Sequence, residues 1–250
     1  MIDTHAHLDA CRDSPAELME RARAAGVDHV VTVGSGIASC RASLEIAGQE
    51  AGVFAALGIH PHQAGEATPD DRRDLEEALR HPCVVAVGES GLDYFRDYAP
   101  HDSQRALFEL HVELATMLAK PLVVHTRSAD ADTLAVLESM PSGVGVILHC
   151  FSSPSLLGPA VDRGWYVSFA GNLTYPKAED LRAAAAAVPA QRILVETDSP
   201  YLAPQARRGR SNEPAFVVHT LAALAKVRDE SADELGRQIE DNARRVFNLP

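Results

Sequence analysis

No apolar run in the sequence approaches the ~18–20 residues that a membrane-crossing helix needs, and Asp3, His5 and His7 stand where a secretory leader would carry basic residues. A membrane partner is therefore not expected, and the chain reads as cytoplasmic. Cysteine is sparse: Cys11, Cys40, Cys83 and Cys150 are scattered, with no C-x-x-C pair and no framework spacing, which excludes a disulfide scaffold and a zinc knuckle. Positive charge is also scarce. Against 35 Asp and Glu there are 23 Lys and Arg, a formal charge of −12. An extended basic face gripping duplex phosphates is thereby excluded, and any nucleic acid must be held locally. The first apolar run is not followed by a G-x-G-x-x-G or P-loop turn, which argues against a nucleotide-binding open sheet. No repeat, low-complexity tract or linker divides residues 1–250, which read as one domain.

What is present is a regular alternation. Eight short runs rich in Val, Ile and Leu recur at Met1–His7, His29–Val33, Val53–Leu57, Val84–Val87, Leu122–His125, Gly145–His149, Trp165–Phe169 and Arg192–Val195. Near-continuous apolar runs suit parallel strands buried on both faces, and most intervals are long enough for a crossover helix. Ser14-Pro15-x-Glu17 is a capping box with Pro at the first helical position, and Gly26 closes that helix. Thr68-Pro69-Asp70-Asp71 opens another, stopped by Pro82, and Ser153-Pro154 and Pro176 or Lys177 open two more. Glu213 to Phe247 reads as two helices with no strand between them. Eight strand and helix alternations in 250 residues point to an α/β fold, a (β/α)8 TIM-like barrel.

Residues of metal-binding type fall at the C-terminal ends of these runs: His5 and His7 after the first, Glu89 after the fourth, His125 and His149 at the ends of the fifth and sixth, Asp198 after the eighth. In a barrel those ends converge on one mouth, where active sites of this fold are built. His5 and His7, two apart on a strand, point to the same face and can share an ion. Any one of the six, taken alone, is more often a hydrogen-bonded or capping residue than a ligand. Six on one rim are harder to explain as structure, because buried polar groups without partners cost several kcal/mol apiece. Six ligands exceed the need of one tetrahedral ion, so two divalent ions (Zn, Mn or Mg) are expected. His5, His7 and Asp198 are assigned to the first, His125 and His149 to the second, and Glu89 to both. Hydrolysis is the natural reaction class. Asp198 and Glu89 are the expected catalytic pair, with Asp198 taking the proton of the attacking water. Glu196, on the same strand face as Asp198, either orients a ligand or lines the interior.

Taken together, Asp3-x-His5-x-His7, Gly58-Ile59-His60-Pro61-His62, Gly88-Glu89-Ser90-Gly91-Leu92-Asp93, His125-x-Arg127, His149-Cys150-Phe151, Glu196-Thr197-Asp198-Ser199-Pro200-Tyr201-Leu202 and Arg210-Ser211-Asn212-Glu213-Pro214 resemble the TatD family of metal-dependent deoxyribonucleases along the whole chain. The resemblance implies a barrel of the amidohydrolase superfamily, a dinuclear centre at the six positions above, and cleavage of DNA phosphodiesters, typically 3′→5′ on single strands. The expected partner is DNA, single-stranded or at 3′ ends, and the chain reads as a monomer. Two positions depart from the family pattern: Ser153 stands where glycine is usual, and His111 where many members carry glutamine. Ser153 is expected to cap the helix opened by Pro154, and His111 to be structural.

Four further residues are expected to bind substrate. His60 and His62 can donate to phosphate or sugar oxygens, or else hold their loop. Arg127, two past His125, can clamp a phosphate bidentately. Arg210 closes the only concentrated basic run, Arg207-Arg208-Gly209-Arg210, which is either a solvated loop or a phosphate contact. Tyr94, Phe95 and Tyr98 can stack on an unpaired base or pack their loop. The same centre acting on an amide or ester, such as a misacylated (D-aminoacyl) tRNA, is the alternative reading, and a metal-binding scaffold without turnover the remaining one.

Overall fold

The computed structural model describes residues 1–141 and 143–250. Eight strands, β1 (Ile2–Ala6), β2 (His29–Gly34), β3 (Val53–Leu57), β4 (Val84–Asp93), β5 (Leu122–Arg127), β6 (Val146–Leu148), β7 (Tyr166–Phe169) and β8 (Ile193–Val195), pair in sequence order, all parallel. The ring closes just past β8: Ala6 bridges Ser199, the Asp198 N–H donates to the His5 carbonyl at 2.9 Å, and the His7 N–H donates to the Ser199 carbonyl at 2.7 Å. The expected (β/α)8 barrel is the observed fold. Among the described residues, no helix is long and apolar enough to cross a membrane.

Helices α1 (Pro15–Ala24) and α3 (Pro69–Ala78) begin where their capping boxes place them. Ser14 accepts from the Glu17 N–H while the Glu17 carboxylate takes the Ser14 N–H, and Thr68 and Asp71 repeat the arrangement. Helices α2 (Ile37–Gln49), α4 (His101–Leu118), α5 (Asp130–Glu138), α6 (Leu157–Arg163) and α7 (Glu179–Ala187) fill the remaining crossovers. The terminal stretch forms the two expected helices, α8 (Val217–Arg228) and α9 (Ala232–Phe247).

The strands bury both faces, and each face has its own apolar cluster. One residue or more from every strand (Ile2, Val31, Ala56, Ala86, Val123, Ile147, Tyr166 and Leu194) fills the lumen, and Ala243 and Phe247 of α9 close its lower end. The other faces pack against the helices. With one end plugged by apolar side chains, the polar residues at the opposite strand ends surround the open mouth.

Three local expectations change. β4 does not stop at Val87 but runs to Asp93, because Ser90, Gly91, Leu92 and Asp93 continue the pairing with Val124, His125, Thr126 and Arg127 of β5. Ser153 makes no capping hydrogen bond: Pro154–Leu156 form a 3-10 turn, and α6 starts only at Leu157. Finally, α7 begins at Glu179 rather than at Pro176 or Lys177.

Candidate metal centre

β1 and the residue that follows it present His5 and His7, 1% and 7% exposed, to the mouth. The Val33 carbonyl, 3.0 Å from His7 Nδ1, accepts that ring proton and so leaves Nε2 to face the site. β4 brings in Glu89, 3% exposed, and holds it beside β5 through Gly91. There φ is +134°, and a Cβ would overlap the His125 carbonyl, so only glycine allows this approach of the two strands. Asp198 takes a left-handed φ of +55°, turning its carboxylate inward just after the ring closes.

The two carboxylate oxygens of Glu89 face different imidazoles. Oε2 lies 3.6 Å from both His5 Nε2 and His7 Nε2, which are themselves 3.4 Å apart, while Asp198 Oδ1 is 3.9 Å and 3.5 Å from the same two nitrogens. Oε1 lies 3.0 Å from His125 Nδ1, 3.0 Å from His149 Nε2 and 3.4 Å from His60 Nε2. Donors sharing a tetrahedral ion at ~2.0–2.1 Å stand roughly 3.4 Å apart. The first group has that spacing, and its mixed imidazole and carboxylate donors suit zinc or manganese better than calcium. His5, His7 and Glu89 offer atoms within 4.8 Å of one another, as do His60, Glu89 and His125.

Electrostatics favour a cation here. Burial pushes the Glu89 carboxyl up, but His149 and His60, with hydrogen bonds from His125 and His149, outweigh it and hold the group well below the usual carboxylate range. Burial disfavours charge on His7, yet its hydrogen bond to Asp198 and the charge of Glu89 raise it to about 9. Against the same penalty, Glu196 and Glu89 raise His149 well above the usual imidazole value. Burial opposes ionisation of Asp198 too, but His7, His149 and His5 lower it overall. His5 goes the other way, lowered by burial and by His149. Carboxylates that keep buried imidazoles protonated above neutral pH provide the field a divalent ion requires, and such an ion would displace those protons.

The surrounding residues hold the rings in place. Glu196 Oε1 accepts from His149 Nδ1 at 2.9 Å and from the Cys150 N–H at 2.8 Å, so of its two readings the orienting one fits the geometry. Asp93 Oδ2 is 2.8 Å from His62 Nε2 and 3.2 Å from His125 Nε2, and Asp93 Oδ1 accepts the Phe95 and Arg96 N–H groups. Burial raises Asp93, but the His125, Arg96 and His62 hydrogen bonds bring it far below its usual value. Sequence reasoning left Asp93 without a role. The signal was its position four residues after Glu89, on the same face of the strand. Asp3 was likewise unassigned: it accepts the Thr197 N–H at 2.9 Å and the Thr197 hydroxyl at 2.6 Å, tying β1 to the segment after β8.

A cavity of about 650 Å³ opens above these groups, lined by His60, His62, Arg96, Arg127 and Tyr201 in addition to Glu89 and Asp198. His62 and Arg127 line this cavity, as does His60, which also reaches down to the Glu89 oxygen that His125 and His149 share. Arg210 is exposed and does not line this cavity. Of its run, Arg207 stacks on Phe216 and donates to His219 Nε2, and Arg208 lies over Tyr175. A substrate role for Arg210 has no support in its placement. Tyr94 packs its loop, stacked on His101 and donating to Asp132, while Phe95 and Tyr98 stand 59% and 65% exposed. The Arg127 guanidinium sits 3.9 Å above the Phe95 ring. His111 is structural: buried in α4, it accepts the Ile59 N–H at Nε2 and donates to the Leu107 carbonyl from Nδ1.

A Mycobacterium tuberculosis protein described as an uncharacterized metal-dependent hydrolase TatD is 41% identical over all of this chain and 98% of its own length. One from Edwardsiella piscicida, described as a 3′-5′ ssDNA/RNA exonuclease TatD, is 35% identical with 93% of each chain covered. The crystal structure of the TatD homolog YJJV from Escherichia coli superposes with a TM-score of 0.93 at 31% identity, covering 100% of this chain and 98% of the other. Residues 2–248 match the family described as TatD related DNase, and the chain therefore belongs to that family of metal-dependent hydrolases.

Proposed function

We propose that the protein is a two-metal phosphodiesterase that removes nucleotides from the 3′ ends of single-stranded DNA. The observation that carries this reading is the division of Glu89 between two sets of imidazoles directly beneath a cavity lined by Arg96 and Arg127. His5, His7 and Asp198 would hold one ion, His125 and His149 the other, and Glu89 both, with His60 close enough to the second to join it. When bound, such a pair lowers the pKa of water and neutralises charge developing on a phosphoryl oxygen.

The chain's own groups supply the rest. Asp198, with a carboxylate lowered by His7, takes the proton of the attacking water. Arg127, stacked on Phe95, presents a guanidinium fork to the phosphate. His62, held by Asp93 at 2.8 Å, lies in the cavity wall and would donate to the leaving oxygen. Exposed Phe95 and Tyr98 at the rim suit unstacked bases, which a single strand offers and a duplex does not. The Edwardsiella relative, described as acting on ssDNA and RNA, supports the same substrate class.

The test is release of nucleotides from 3′- or 5′-labelled single-stranded DNA and RNA with magnesium, manganese or zinc, comparing the native protein with Glu89→Ala and Asp198→Asn. Both variants are expected to lose at least ~10³-fold, a loss of several kcal/mol of transition-state stabilisation. Equal degradation by all three proteins would assign the activity elsewhere, and preferential turnover of aminoacyl-tRNA or simple esters would replace the phosphodiester reading.

A further inference from the structure

A second cavity, of about 470 Å³, adjoins the first and is lined by Arg127, Ser128, Asp130, Ser152 and Ser153. Two of these, Arg127 and Ser152, also line the main cavity, so the two spaces share a guanidinium and a hydroxyl. The residues lining the second are one arginine, three serines and one aspartate. Its one carboxylate, Asp130, accepts a hydrogen bond from the Ser155 hydroxyl. Ser153 follows Ser152 at the start of the turn opened by Pro154. Its side chain does not cap the following helix, although the residue is only 4% exposed.

From this juxtaposition we infer a second phosphate subsite, in which Arg127, Ser128, Ser152 and Ser153 bind the phosphate next to the one being cleaved on the same strand. The inference rests on the phosphodiester reading above. A guanidinium carries five N–H donors in a rigid fork and can serve two neighbouring phosphates at once, and serine hydroxyls are ordinary phosphate donors. The subsite makes the enzyme a reader of strands rather than of isolated diesters.

The experiment compares the metal-loaded protein on three substrates: bis(p-nitrophenyl) phosphate, the thymidine dinucleotide with one phosphodiester, and that dinucleotide bearing a terminal phosphate at its 5′ or 3′ end. The terminal phosphate adds an anion without adding a base. At one of the two ends it should raise kcat/KM about tenfold or more. Ser128→Asp and Ser153→Asp should remove that gain while turnover of bis(p-nitrophenyl) phosphate stays within about twofold. Ser153→Gly, which takes away the hydroxyl without adding bulk, should reduce the gain several-fold. Ser128 is exposed, so its variant remains informative if Ser153→Asp fails to fold. A terminal phosphate without effect at either end, or a uniform loss on all three substrates in the Ser128 variant, would overturn the subsite alone. No turnover of any phosphodiester by the native protein would overturn the underlying reading and the subsite with it.

Discussion

Asp93 Oδ2 lies 3.2 Å from His125 Nε2, on the ring edge opposite the nitrogen that meets Glu89 at 3.0 Å. The carboxylate therefore sets both the tautomer and the tilt of His125, and makes Nδ1 a better electron-pair donor. Asp93→Asn keeps the size of the side chain but removes the charge. It is expected to raise the metal concentration needed for half-maximal activity by about 10–100-fold, with a smaller effect at saturating metal. Metal titrations of activity check this, and an unchanged half-point would leave Asp93 with a structural role only.

If the centre holds the proposed two ions, Glu89→Gln should cut metal content to one ion per chain or fewer. Its amide leaves one oxygen where two carboxylate oxygens now face two sets of imidazoles. Elemental analysis after dialysis against a defined trace of zinc or manganese gives the count directly.

Binding of metal should release protons at neutral pH and tighten as pH rises towards about 9, because His7, raised to that value, must lose its proton to donate from Nε2. In the presence of chelator the sign reverses for stability. The raised His7 value contributes stability that is complete below about 6.5 and is lost as pH climbs through about 9. Calorimetry in buffers of different ionisation enthalpy measures the protons, and thermal melts with and without chelator measure the second effect.

His111 gives a separate acid limit. Burial lowers it from 6.5 to about 4, although its hydrogen bond to the Leu107 carbonyl opposes the shift. The neutral ring accepts the Ile59 N–H, so protonation would break that bond. The contribution is present above pH 6.5 and lost as pH falls towards 4, at most about 3 kcal/mol. His111→Gln should flatten the pH dependence of denaturant midpoints over that window, whatever it does to stability at pH 7.

Gly91→Ala should destabilise the protein by about 2–4 kcal/mol and lower activity further than the fold loss explains. A methyl group there meets the His125 carbonyl in a backbone conformation already unfavourable for alanine. Comparing denaturant midpoints with kcat on the folded fraction separates the two effects.

The eight strands and the six rim residues were legible because buried parallel strands are written as continuous Val, Ile and Leu, and strand-end histidines interrupt them. β4 was cut short at Val87 because Gly88, Ser90 and Gly91 look like a turn, and only the pairing with β5 shows that the strand continues to Asp93. The same truncation hid the role of Asp93, which depends on a neighbour 32 residues away. Arg210 was attractive as local charge, but loop charge does not say which way a loop faces. Ser153 before Pro154 carries a capping signature that the 3-10 turn overrides.

The seam of the barrel has a consequence for how the molecule comes into being. Asp3 holds Thr197 across 194 positions of sequence, and His5 and His7 meet Asp198 over the same join. A growing polypeptide emerges from the ribosome with its first histidines long before the aspartate that completes them. Until β8 has been synthesised and docked against β1, His5 and His7 do not face Asp198. On the two-ion reading, a chain that ends before Asp198 lacks the carboxylate that faces His5 and His7 across the seam.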